Sequence, residues 1–420
     1  MKYALIVPDG AADRPLAELG GKTPLQVAKT PNLDRLVREG SIGLVRTCPT
    51  GMTPGTEVCL MDLMGYDPRE YFRGRGPLEA LGEGIELKKS EVAFRCNLVT
   101  VQGELLDDYS AGHITDAEGK EIIQMLDKRL GSDEIRFLPG ASYRHLMIWR
   151  GGSDEVKTIG PHHIMGQPWK ANLPKGKGEA KLLQMMEDSR VLLMGHEVNR
   201  ARRMKKLKVA NMIWLWSPGR LPSMPDYRTK FGLGGVMITA VNIGRGMGKL
   251  AGLEIVKVPG ATGYFDTNYK GKGDAAVKAL KTNDLAVVHI EAPDEAGHDG
   301  NVAEKVRAIE AVDEFVIGAL LKAQPKLGAL SILVLPDHAT PVEVKNHTDE
   351  PVPFVIWRGQ PVPAGKMPAM EEGPGFDEAA GAASGVIVEE GWTLLDRFFL
   401  PRGASVPAEA ADPPATPPAA

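Results

Sequence analysis

The sequence predicts an α/β fold: a doubly wound, mainly parallel sheet interrupted by an inserted α+β domain. Three observations carry that expectation. Short apolar runs closed by turn residues alternate with helical stretches at both ends of the chain, the pattern of strands in a parallel sheet. Between about residues 91 and 207 the alternation gives way to a mixture of strands and helices in another order. The length of 420 residues leaves room for two or three such units.

The elements follow in order. Residues 3–7 form an apolar run stopped by Pro8-Asp9-Gly10, a buried strand rather than a helix. Thr30-Pro31 marks a helix start, with Thr30 capping and proline in the first turn. Residues 51–57 are a Gly/Pro/Thr loop that enters an apolar helical stretch at 58–64. In the inserted segment, 92–101 and 144–149 look like strands, and 115–130 and 179–193 like helices. It ends in a basic run, Arg200, Arg202, Arg203, Lys205, Lys206 and Lys208, which is either a solvated helix face or a rim that attracts phosphate. Alternation then resumes, with strands expected at 211–216, 253–258, 285–290, 330–335 and 353–357. The spacing of Val302, Val306, Ile309, Val312, Phe315 and Val316 predicts a helix over 302–321 with one buried face. The domains are thus 1–90 with 208–400 as the core, 91–207 as the insertion, and 401–420 as a Pro/Ala tail too poor in apolar residues to order itself.

Composition excludes several classes. A net charge of −4 argues against a nucleic-acid or anionic-membrane binder, so an anionic substrate must be met by local cations. Cys48, Cys59 and Cys96 form neither a disulfide framework nor a cysteine zinc site, which fits a reducing compartment. No apolar stretch approaches the about 18 residues that span a bilayer, and the N-terminal run is too short for a signal peptide. A cytoplasmic enzyme is expected.

One constellation dominates. Three apolar runs end in Pro-Asp, at Pro8-Asp9, Pro293-Asp294 and Pro336-Asp337. In a parallel sheet the carboxyl ends of strands share the edge where ligands bind. Three carboxylates brought together would repel one another, and a cation resolves the conflict. His298, His338 and His347 follow those aspartates closely. A lone Asp at a strand end usually serves as a cap, and a lone His is usually structural. Those three histidines with Asp9, Asp294 and Asp337 make six candidate ligands, which exceed one tetrahedral site and point to two divalent ions. Imidazole with carboxylate suits Mn²⁺, Zn²⁺ or Co²⁺ better than Ca²⁺, with Mn²⁺ favoured and Mg²⁺ open. Thr56, in Pro54-Gly55-Thr56-Glu57 before an apolar helix, is placed to accept phosphate at a helix N-terminus. Without the metals it would read as an ordinary cap.

The chain resembles the cofactor-independent phosphoglycerate mutases of archaeal type, within the alkaline phosphatase superfamily. The resemblance spans roughly residues 1–400. It rests on Pro-Asp-Gly at 8–10, Gly-Gly-Lys-Thr-Pro-Leu at 20–25, Lys-Thr-Pro-Asn-Leu-Asp-Arg-Leu at 29–36 and Gly-Tyr-Asp-Pro at 65–68. It continues through Gly-Arg-Gly-Pro-Leu-Glu-Ala at 74–80, Phe-Arg-Cys-Asn-Leu at 94–98 and Pro-Gly-Ala-Thr-Gly at 259–263. Glu-Ala-Pro-Asp-Glu-Ala-Gly-His at 291–298 and Pro-Asp-His-Ala-Thr-Pro at 336–341 complete it. The resemblance implies a core of alkaline phosphatase type. It implies one metal on Asp9, Thr56, Asp337 and His338, and a second on Asp294, His298 and His347. It further implies that the phosphate of 3-phosphoglycerate moves to the enzyme and returns to the 2-hydroxyl of glycerate. The chain departs from the family where Thr56-Glu57 replaces serine followed by aspartate, and in Val58-Cys59-Leu60-Met61.

Arg75, Arg95 and Arg144 are the expected contacts to the phosphorylated small-molecule substrate, because arginine grips phosphate and carboxylate bidentately. Lys272 is expected to neutralise charge near Thr56, and His113 to shuttle a proton, though each could be an ordinary structural residue. A homo-oligomer is left open. Homoserine kinase activity, proposed for bacterial relatives with motifs such as Asp-Tyr-Ser-Ala-Gly-His at 108–113, is the alternative acceptor chemistry. A metal-dependent phosphatase and a degenerate regulatory protein are the others.

Overall fold

A computed structural model of the chain describes residues 1–359 and 374–400; the tail at 401–420 lies outside the described residues. The core is an eight-stranded sheet. Its strands lie side by side in the order Glu254–Val256, Gly235–Ile238, Leu285–Ile290, Lys2–Pro8, Leu330–Val334, Val352–Gly359, Ser41–Val45 and Ile387–Val388. All run parallel except Val352–Gly359, which is antiparallel to both neighbours.

The apolar runs form strands because both faces are covered. Leu5, Val7, Val287 and Leu333 pack into one apolar cluster, and Ala4, Ile6, Val288 and Ile332 into another. Alternate residues of each strand therefore feed opposite layers, the two-sided burial typical of parallel sheets. The central triplet matters most for the site. Lys2–Pro8 lies between Leu285–Ile290 and Leu330–Val334, so the ends of these three strands are adjacent.

The second sheet is antiparallel and has its own core of Phe94, Leu98, Ile122, Phe137, Met147 and Trp214. Its 12-residue central strand, Glu91–Gln102, pairs with Arg144–Arg150 on one side and Met212–Gly219 on the other. The last pairing corrects the expectation that 211–216 resumes the parallel sheet. An apolar run shows that a strand is buried, and nothing in its period says which sheet buries it.

Helix ends also differ in their chemistry. Thr115 caps Asp116–Leu130 in a reciprocal box with Glu118, as a start at 115 suggests. Thr30 makes no side-chain cap on Pro31–Glu39; the Asp313 carboxylate instead accepts from the Leu33 N–H at 2.6 Å and the Asn32 N–H at 3.3 Å. The helix expected at 302–321 runs as Val302–Val312, a π-helical turn Asp313–Ile317, and Gly318–Leu327. The turn is what delivers Asp313 to its neighbour. In the basic run, Arg202 is buried on Glu118 at 2.7 Å and on the Ala111, Gly112 and Lys208 carbonyls, so that cation is structural.

His145 makes the second sheet acid-sensitive. Its Nδ1 accepts the Gly140 N–H at 3.0 Å, which requires the neutral ring. Burial, with Arg95 nearby, pushes its pKa down to about 3. The unfolded chain takes up this proton near the ordinary value of 6.5, and the folded chain does not. Stability is therefore lost as pH falls below 6.5, by about 2 kcal/mol at pH 5 from this group. Urea unfolding at pH 7 and pH 5, followed by tryptophan fluorescence, should show a larger loss for the wild type than for His145→Gln. Equal losses would contradict this account.

Candidate active site

The three neighbouring strand ends gather the predicted residues. Asp9 directly follows Lys2–Pro8, and Asp337 follows Leu330–Val334 by three residues. Asp294 arrives differently from the sequence expectation. Its strand ends at Ile290, and Asp294 stands in the first turn of the helix Ala292–Asp299, four residues before His298. That spacing puts both side chains on one helix face, with His298 Nε2 at 3.3 Å from Asp294 Oδ2. His347 Nε2 reaches the other oxygen, Asp294 Oδ1, at 3.5 Å, and the two imidazole nitrogens lie 3.0 Å apart.

A second group abuts the first. His338 Nε2 is 3.5 Å from Asp9 Oδ1 and 3.4 Å from Asp337 Oδ2. His289 Nε2 is 3.2 Å from Asp9 Oδ2. Residues thus fall into three sets able to hold an ion: Asp294/His298/His347, Asp9/Asp294/His338 and Asp9/His289/Asp337. His289 was not among the sequence candidates. It lies inside an apolar strand, where a lone histidine reads as core.

All four histidines are oriented the same way. His298 Nδ1 faces the Lys345 carbonyl at 3.1 Å, and His347 Nδ1 the Pro54 carbonyl at 3.4 Å. His338 Nδ1 meets the Thr340 hydroxyl at 3.2 Å, and His289 Nδ1 meets Glu291 at 3.3 Å. Each outer contact leaves Nε2 for the centre, the arrangement that metal-ligating histidines use. Thr340 also donates to Asp294 Oδ1, and the Gly10 and His338 N–H groups donate to Asp337 Oδ1. Four buried atoms nevertheless lack a hydrogen-bond partner: Asp9 Oδ1, Asp337 Oδ2, His338 Nε2 and His289 Nε2. Buried polar atoms rarely go unsatisfied, and four at one spot fit a cation.

The electrostatics agree. Burial, with Asp337 and Asp294 as like charges, pushes the Asp9 carboxyl well above its ordinary range. Burial would also raise Asp294, but hydrogen bonds from His298 and His347 hold it well below. Burial lowers His338 to about 4, while Asp9 and Glu291 outweigh burial at His289 and raise it to about 10.

Thr56 is the first residue of the helix Thr56–Leu63, and its loop is tied to the centre by the Pro54 carbonyl on His347. Lys272 is fully buried, with Nζ on the Glu291 carboxylate at 2.5 Å and the His289 carbonyl at 2.9 Å. It stands under His289, and reaching a phosphate on Thr56 would require breaking both bonds. His113 is exposed in a left-handed turn.

Arg75 and Arg95 come together on Glu79, at 3.1 Å and 2.6 Å. Arg75 also lies 3.6 Å from Glu57, the neighbour of Thr56. Two glycines make that approach feasible. A Cβ on Gly74 (φ +93°) would sit 2.0 Å from the Pro218 carbonyl oxygen, and one on Gly76 2.2 Å from that of Ala93. The helix carrying Arg75 can therefore lie directly on the second sheet. Arg144 stands over the Tyr143 ring at 5.3 Å and is within electrostatic reach of Glu295, the neighbour of Asp294. His162 and His163, which sequence reasoning did not single out, lie near the centre: both are exposed, yet within electrostatic reach of His347. Their signal was only a Pro-His-His triplet in a loop.

A family model for 2,3-bisphosphoglycerate-independent phosphoglycerate mutase matches residues 37–199. A probable 2,3-bisphosphoglycerate-independent phosphoglycerate mutase of Geobacter sulfurreducens is 47% identical over 404 residues, covering 95% of this chain and 100% of the relative. The enzyme so named in Methanothrix thermoacetophila is 48% identical over 396 residues, covering 94% and 98%. Among solved structures, a cofactor-independent phosphoglycerate mutase of Thermoplasma acidophilum shares 28% identity at a TM-score of 0.62, covering 95% of this chain and 99% of that one. A protein of Pyrococcus horikoshii shares 28% at a TM-score of 0.78, covering 94% and 96%. Near-complete coverage at such identity, on a chain with this strand order and this Asp/His centre, places it in the family of 2,3-bisphosphoglycerate-independent phosphoglycerate mutases.

Proposed function

We propose that this chain interconverts 3-phosphoglycerate and 2-phosphoglycerate without a bisphosphoglycerate cofactor, through a phosphoryl group carried on Thr56. The observation that carries the reading is the convergence of four imidazole Nε2 atoms on three carboxylates, with buried atoms left unpaired. One divalent ion would be held by Asp9, Thr56, Asp337 and His338, the other by Asp294, His298 and His347, with His289 an additional donor beside Asp9. Such ions, Mn²⁺ before Zn²⁺, Co²⁺ or Mg²⁺, neutralise developing charge and acidify a hydroxyl.

The chain's own residues do the rest. The Thr56 hydroxyl gives up its proton and its oxygen attacks phosphorus at the end of its helix, where free backbone N–H groups favour an anion. The bond from phosphorus to the C3 oxygen breaks, and that oxygen leaves with the electron pair and gains a proton. Glycerate turns while the arginines keep hold of it, its 2-hydroxyl loses a proton and attacks the phosphoryl group, and the bond from phosphorus to the Thr56 oxygen breaks, that oxygen taking a proton back. Arg75, Arg95 and Arg144 hold the anionic groups, and the 91–219 region covers the site and excludes water. The three buried free thiols agree with a reducing cytoplasm.

Phosphorus NMR of the Mn²⁺-loaded protein with 3-phosphoglycerate alone tests this. The reading predicts 2-phosphoglycerate. Inorganic phosphate would point to hydrolysis instead, and an inert mixture that turns over on adding homoserine and ATP would point to a kinase.

A further inference from the structure

The strongest unexplained feature outside the metal centre is a line of alternating charge. It runs from Glu57, beside the nucleophile, through Arg75 and Glu79 to Arg95, and ends on the Trp216 ring of the second sheet, 4.9 Å from the Arg95 guanidinium. Glu79 is its pivot. One of its oxygens, Oε1, receives Nε of Arg75 and an Nη of Arg95 together. Arg75 opens the core helix Arg75–Gly82, whereas Arg95 belongs to the central strand of the second sheet. A single carboxylate oxygen thus ties one arginine from each part of the molecule.

The line is built. The Arg95 side chain is only 4% exposed and Glu79 13%. Trp216 is fixed by its Nε1–H on Asn97 Oδ1 at 3.0 Å, and the Arg75 N–H donates to the Ser217 hydroxyl at 2.9 Å. His162 packs edge-on to Trp216 at 5.4 Å. Burial, with Arg75 and Arg144 as like charges, pulls Arg95 down to about 10 even though Glu79 opposes the fall. Two guanidinium groups held so close would repel without the carboxylate between them.

We propose that Glu79 is a positioning residue for substrate anions: it fixes Arg75 and Arg95 as one preorganised pair, with Arg75 reaching Glu57, the neighbour of Thr56. The inference rests on the mutase reading for the identity of the anion, a three-carbon acid bearing phosphate. Arg75 is shared between Glu79 and Glu57, and its contact with Glu57 is the longer one at 3.6 Å. An incoming phosphate therefore displaces Glu57 and leaves the Glu79 contact in place. Glu79 does not touch the substrate; it sets where the two arginines wait, so its loss is felt in binding rather than in the chemical step.

The test compares Glu79→Gln and Glu79→Asp with the wild type as full-length, Mn²⁺-loaded proteins. Affinity for 3-phosphoglycerate is measured by equilibrium dialysis, alongside KM, kcat, melting temperature and bound metal. Glu79→Gln should weaken binding and raise KM by about tenfold or more, with kcat within about threefold and metal content unchanged. Glu79→Asp, which keeps the charge, should recover part of the affinity. Wild-type affinity in Glu79→Gln would overturn the proposal. So would parallel losses of affinity, metal and melting temperature in both variants, since that is the mark of a merely structural carboxylate. If Glu79→Gln does not fold, Glu79→Asp decides, and wild-type KM there with a depressed kcat would overturn it. A wild type that binds 3-phosphoglycerate without converting it sinks the mutase reading while the affinity comparison still judges Glu79. A wild type that does not bind it sinks both.

Discussion

Replacing Thr56 with valine should lower 2-phosphoglycerate formation by about 10⁴-fold or more, the scale of losing a nucleophile. Valine keeps the shape of threonine, and the fold does not need the hydroxyl: the helix Thr56–Leu63 is entered through Gly55 and has no side-chain cap. Melting temperature should therefore stay near that of the wild type, which separates lost chemistry from lost structure. Thr56→Ser completes the argument. It restores the nucleophile and removes only a methyl group, so it should retain activity within about tenfold of the wild type. A valine variant that still turns over at the wild-type rate would remove Thr56 from the mechanism.

Asp9→Asn should abolish turnover with a different signature. Asp9 belongs to two of the three candidate ligand sets, with one oxygen toward His338 and the other toward His289. Without a cation its carboxylate is buried beside Asp337 and Asp294 and is hard to ionise. The amide relieves that repulsion, so the metal-free variant should be at least as stable as the metal-free wild type. Added Mn²⁺ should raise the melting temperature of the wild type, because ligand binding to the folded state stabilises it. The variant should gain much less, hold at least one ion fewer per chain by elemental analysis, and lose about 10³-fold or more in turnover. Full metal content in Asp9→Asn would refute the assigned ligand set.

Much of this was legible in the residues. Pro8-Asp9 and Pro336-Asp337 each follow an apolar run, and parallel strands share their carboxyl edge, so Asp9 and Asp337 were predictable neighbours. Histidines His298, His338 and His347 could be read beside them. The order of strands could not be read, because pairing is set by long-range packing; the place of Lys2–Pro8 between the other two emerges only in three dimensions. For the same reason 211–216 went to the wrong sheet. His289 was hidden because a strand period buries it among Val287, Val288 and Ile290. Lys272 was found as a cation, but its partner Glu291 lies 19 residues away, and no local pattern reveals that pairing. The substrate side was the least legible. Arg75, Arg95 and Arg144 come from three separate elements, and Glu79 connects two of them only once the Gly74 and Gly76 approach has brought helix and sheet into contact.

The most direct test of the central claim is mass spectrometry of the Mn²⁺-loaded enzyme, acid-quenched during turnover of 3-phosphoglycerate and mapped by peptide. The account predicts a phosphoryl group on Thr56, absent when substrate is omitted. Formation of 2-phosphoglycerate with Thr56 unmodified and the phosphoryl group on another residue would contradict it.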